Sequence, residues 1–121
     1  MIKTILISLA LSLTMLNALD CNNAETTYDM KDCALQDFQA IDKELNSVYK
    51  KLMNLLDSGG KQKLKTAQKA WIVFRDAQAK FSADYARGGT LERLLFQRSQ
   101  VDTTQKRVVE LKSILEDLQS Q

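Results

Sequence analysis

Apolar residues recur along three stretches of this chain at alternating steps of three and four. Ala34, Phe38, Ile41, Leu45, Val48, Leu52 and Leu55 mark the first stretch. Leu64, Ala67, Trp71, Phe74, Phe81 and Tyr85 mark the second, with Gln78 filling one place. Leu91, Leu94, Val101, Val108, Leu111, Leu115 and Leu118 mark the third. This spacing returns side chains to one face of a helix, so each stretch predicts an amphipathic α-helix with that face inward. Trp71 and Phe74 are expected to be core anchors. The third helix is weakest in its middle, where Val101 is the one apolar residue between Gln97 and Arg107.

The breaks between the stretches are equally regular. The chain has no proline, and its four glycines fall as the pairs Gly59-Gly60 and Gly88-Gly89. Glycine suits a helix end, and Thr26 or Thr27, Ser58 and Thr90 suit helix starts. Short turns between long helices predict an all-α fold, a three-helix antiparallel up-down-up bundle.

Register across the first hairpin follows from the turn. With its centre between Ser58 and Gly59, Asp42 and Arg75 are equidistant from it, as are Tyr49 and Gln68. On a helical wheel Asp42 and Tyr49 lie about 60° and 40° from Leu45, and Gln68 and Arg75 lie at similar angles from Trp71. The four border the core and are expected to form a half-buried polar network that fixes helix register. In it Arg75 gives directional hydrogen bonds to a carboxylate.

The first residues add a compartment. Lys3 supplies a positive start, and residues 4–16 form a mostly apolar run of the length of a signal-peptide core, too short to span a membrane. Residues 1–18 are therefore expected to be a signal peptide, with cleavage after Ala18. Residues 19–121 then form a single helical domain, periplasmic or secreted and without stable membrane insertion. A lipoprotein reading would acylate Cys21, but Asp20 stands before it where a small residue is expected, and Cys33 would be stranded.

Cys21 and Cys33 are the two cysteines of the chain, and export makes a structural disulfide between them the expectation. Their spacing is not that of a CxxC redox pair. With no histidine in the chain, a zinc site would need two thiolates and carboxylates. No metal and no cofactor is expected. Catalysis is the least favoured class, since it would need a carboxylate pair in a cleft that a narrow bundle scarcely offers.

Charge is unevenly distributed. The formal net charge is +2, which becomes +1 once Lys3 leaves with the signal. Between Asp20 and Glu44 there are seven acids against Lys31 and Lys43, whereas Lys50 to Arg107 holds thirteen bases against five acids. Negative charge at the start of the first helix complements its dipole. The same charge offers a docking surface for a basic protein, with Asp29, Asp32 and Asp37 as candidate partner-binding residues. Lys61, Lys63, Lys65 and Lys69 lack aromatic interleaving and are expected to form a solvated face, not a nucleic-acid site.

Four motifs carry a family resemblance: DMKDCALQDF at residues 29–38, DKELNSVY at 42–49, AQKAWIVFRDA at 67–77 and GGT at 88–90. Together they resemble the lysozyme inhibitor LprI-like family of small exported bacterial proteins, over about residues 21–111. The resemblance implies an all-helical, disulfide-bearing envelope domain that inhibits lysozyme by protein contact. Members of the family often carry a second cysteine pair, at places occupied here by Ala79 and Ser99. Those two positions are expected to face each other across the second hairpin, and loss of the bridge leaves the polar middle of the third helix less constrained. The first expectation is thus an exported inhibitor of lysozyme or a related cell-wall hydrolase, its partner a lysozyme or another basic envelope protein. The alternative is an envelope interaction or structural protein, including an immunity-like partner of another toxin.

Overall fold

The computed structural model describes residues 19–121; the expected signal segment lies outside the described residues. The described residues form three long helices: α1 (Thr27–Leu55), α2 (Ser58–Ala83) and α3 (Glu92–Gln119). Short 3-10 turns occupy Cys21–Asn23 and Asp84–Ala86. This is the expected up-down-up bundle, but its packing is unequal. α3 packs along both other helices, while the backbones of α1 and α2 scarcely approach each other. The core lies mainly between α1 and α3, where Leu45, Val48 and Leu52 meet Val108, Leu111 and Leu115. Ile41, Leu64, Trp71 and Leu118 close its edges.

Local chemistry explains the boundaries. The Thr26 hydroxyl accepts from the Asp29 N–H at 3.1 Å and caps α1. Asp57 caps α2 through the Gly60 N–H at 2.7 Å, so Gly59 and Gly60 open α2 instead of closing α1. A Cβ on Gly60 would come within 3.2 Å of Leu56, which favours the missing side chain there. Thr90 is not a cap. α3 begins after Leu91 without a side-chain cap, and Glu92 Oε2 instead accepts from the Gly88 N–H at 2.8 Å. Gly88 has φ of 77°, a conformation that side chains other than glycine rarely adopt.

Cys21 and Cys33 are joined by a disulfide with Cα atoms 5.5 Å apart. It holds the first 3-10 turn against α1. That turn is itself capped by Asp20, whose carboxylate accepts from Asn22 N and Asn23 Nδ2.

Two expectations about the core need correction. Phe74, Phe81 and Tyr85 do not face inward: they are 56%, 76% and 81% exposed, and Leu55, Ala67 and Leu91, also expected on inner faces, are exposed as well. The inner face of α2 runs instead through Gln68, Arg75, Ala79 and Ala83, all buried, with Trp71 half-buried beside them. At 100° per residue, Phe74 stands about 100° from Arg75, and Phe81 about 160° from Ala83. The second correction concerns α3. Its polar middle is buried, with Gln97, Gln100, Thr104 and Arg107 pointing into the bundle. The side-chain oxygens of Gln97 (Oε1) and Thr104 (Oγ1) have no hydrogen-bond partner among the described residues.

Candidate functional site

Arg75 is the junction of a polar seam between the helices. Its Nε donates to Asp76 Oδ1 at 2.9 Å, and Nη1 lies 3.6 Å from Asp42 Oδ1 on α1. The guanidinium also sits 5.1 Å from the Phe38 ring centre and 5.3 Å from that of Trp71. A flat, weakly hydrated cation is suited to this mixed apolar and acidic setting.

A second arginine repeats the arrangement from α3. Arg107 donates through Nε to Gln68 Oε1 at 3.0 Å and pairs through Nη1 with Glu110 at 2.8 Å, its guanidinium 5.8 Å from the Trp71 ring centre. Gln100 Nε2 donates to Asp76 Oδ1 at 3.1 Å. Ser99 Oγ donates to Ser82 Oγ at 3.3 Å, one turn beyond the buried Ala79. Among the described residues the seam therefore runs along the α2–α3 contact and reaches α1 through Arg75.

The four residues expected as a network line one cleft between α1 and α2. Asp42, Tyr49, Gln68 and Arg75 surround a volume of ≈ 260 Å³, with Leu45, Ile72, Lys65 and Lys69 beside them. Asp42 and Arg75 are paired across it, whereas the Gln68 carbonyl is taken by Arg107. Gln100 and Arg107 escaped sequence reasoning. The available signal was their seven-residue spacing, which matches that of Gln68 and Arg75 on the facing helix.

Asp76 reports on the seam through its protonation. Burial pushes its carboxyl up, but hydrogen bonds from Arg75 and Gln100, aided by the charges of Arg75 and Lys80, outweigh that and hold it below the ordinary 3.8. A depressed carboxylate contributes stability that is present above its unfolded value and lost as pH falls through the lower folded value. The gap in urea midpoint between the unaltered chain and Asp76→Asn is thus expected to be widest at neutral pH and to close as pH falls below 3.8. A gap independent of pH would show that ionisation of Asp76 plays no part.

The acidic residues sit apart from the seam. Asp29 lies in the first turn of α1, with Asp32 and Asp37 on the next two turns. None of the three carboxylates has an ion pair among the described residues. Tyr28, 68% exposed, stands beside Asp29, and exposed Leu35 follows on the same side as Asp32. No group of three or more potential metal ligands occurs among the described residues, and none of their helices is long and apolar enough to cross a membrane.

Comparison with known proteins bears on residues 20–111, which match the family described as Lysozyme inhibitor LprI. A curated relative, the uncharacterized protein R02472 of Rhizobium meliloti (strain 1021), is 33% identical over 114 residues, covering 84% of this chain and 82% of its own. No solved structure matches. With its helical bundle, its one disulfide and a family match across most of its length, the chain belongs to the LprI lysozyme inhibitor family.

Proposed function

We propose that the chain is an exported protein, periplasmic or secreted, that inhibits lysozyme or a related wall hydrolase by direct contact. The carrying observation is the family match; the unpaired acids at the start of α1 supply the physical route. A basic enzyme surface complements Asp29, Asp32 and Asp37, and exposed Tyr28, next to Asp29, offers the kind of aromatic anchor that dominates many protein interfaces. Rigid placement on a helix whose start is capped by Thr26 lowers the ordering cost of docking. Export is supported by the apolar run at residues 4–16 and by the disulfide, which persists in an oxidising compartment.

The mature protein is expected to slow lysozyme-driven clearing of a bacterial cell-wall suspension without acting on the wall. Charge steering weakens as the screening length falls from about 10 Å at 0.1 M salt to about 3 Å at 1 M. Replacing Asp29, Asp32 and Asp37 together by asparagine should therefore slow association more at low salt than at high salt, with circular dichroism unchanged. Full inhibition by the triple variant would discard the acidic route. No inhibition by the unaltered protein, across several lysozyme types, would discard the function.

A further inference from the structure

The cleft between α1 and α2 is left open because the two helices scarcely approach each other, and the polar groups without partners in it are donors. Arg75, buried in its lining, commits Nε to Asp76. Its Nη1 stands 3.6 Å from Asp42, beyond hydrogen-bond reach, and Nη2 has no partner among the described residues. Gln68 is turned from behind: Arg107 of α3 donates to its Oε1, so the end left over is the Nε2 donor, which meets no acceptor among the described residues. Lys65 and Lys69 stand exposed at the rim, without an ion pair among the described residues. The one carboxylate in the lining, Asp42, already faces Arg75.

We propose that this cleft binds a small carboxylate with an apolar stem, either a free acid or the terminal group of a peptide. Charge selects the class. Arg75, Lys65 and Lys69 are balanced by Asp42 and by Asp76 behind Arg75, which leaves one positive charge in excess. A singly charged carboxylate cancels it, whereas a phosphate ester, with about two negative charges, overshoots. The free edge of a guanidinium also matches a carboxylate in shape.

Size and walls set the stem. The volume of ≈ 260 Å³ lies below the range of about 300–1,000 Å³ usual for drug-sized ligands, so an acid of a few carbons fits and a sugar chain does not. Leu45 of α1 and Ile72 of α2 give that stem an apolar surface on either side. A ligand held there touches both helices, which otherwise meet at the cleft through Arg75 and Asp42, and so ties α1 to α2. Asp29, Asp32 and Asp37 lie outside the lining, and the site is independent of the proposed contact with a basic enzyme.

NMR titration of the mature protein with isovalerate at fixed ionic strength tests this, with isovaleramide as the neutral counterpart. Saturating amide shifts are expected at Leu45, Tyr49, Gln68 and Ile72 with the acid and none with the amide, and the acid should raise the midpoint of thermal unfolding. Lys65→Gln with Lys69→Gln should weaken binding about tenfold with unchanged circular dichroism, since neither lysine is tied to another side chain. Lys61→Gln with Lys63→Gln removes equal charge away from the cleft and should change affinity less than about twofold. An acetylated alanyl dipeptide with a free C-terminus separates the two sources: tighter binding than isovalerate assigns the carboxylate to a peptide end, weaker binding to a free acid. Shifts that never saturate, or that the amide reproduces, overturn the proposal, as do equal losses in the two lysine pairs. Tighter binding of inorganic phosphate than of either carboxylate overturns the charge match.

Discussion

Leu111→Ala is expected to lower the unfolding free energy by about 2–5 kcal/mol, measured by urea denaturation. Leu111 is almost fully buried on α3 within the cluster that includes Leu45, Val48 and Leu52 of α1. Truncation removes apolar contacts and leaves a cavity that helices on either side cannot easily close. Phe81→Ala is the control: it deletes a larger side chain, yet one exposed on α2, and in monomeric protein should change stability by no more than about 0.5 kcal/mol. Equal costs for the two variants would show that the inner and outer faces of the bundle have been misassigned.

Arg75→Ala is expected to cost about 2–3 kcal/mol, since it removes a largely buried cation that touches Phe38, Trp71, Asp42 and Asp76 together. Asp42→Ala should cost less, about 1 kcal/mol, because that carboxylate is 40% exposed and water takes over when the pair is broken. The double variant should cost less than the sum, the difference measuring the coupling across α1 and α2. Arg75→Lys tests the role of shape. An ammonium keeps the charge but cannot pack a flat face near two rings while donating to Asp76 and pairing with Asp42. A lysine variant as stable as the unaltered chain would reduce the junction to a simple charge contact.

The helices were legible because long proline-free runs with apolar steps of three and four leave few alternatives. Thr26 at the start of α1 and the Cys21–Cys33 bridge were equally readable, one from capping chemistry and the other from compartment. The inner face of α2 was not. Its most apolar side chains, Phe74 and Phe81, form one stripe, whereas the stripe α3 selects carries Gln68, Arg75, Ala79 and Ala83. Apolarity alone favours the wrong stripe when the packed one is small and polar. Burial of Gln68 and Arg107 makes sense only once they are side by side, and they are 39 residues apart in sequence. The chemistry at the start of α1 was visible as charge. What the sequence did not reveal there was that Tyr28 and Leu35 remain uncovered beside it.

The central position of α3 has a kinetic consequence. In most up-down-up bundles the first hairpin gathers local contacts early, and folding is quick because partners are near in sequence. Here the first two helices have little to bury against each other, and the contacts that close the structure are distant, as in the ion pair of Glu44 with Lys112, 68 residues apart. A chain emerging from the ribosome therefore displays the core face of α1 and both stripes of α2 until its last quarter has been made. The nucleus must close a loop of more than half the chain before α1 finds its partner, and the cost of that closure falls on the rate of folding. Until then the nascent chain is a pair of helices with exposed apolar surface, the form in which a small protein is most open to aggregation or to capture by a chaperone.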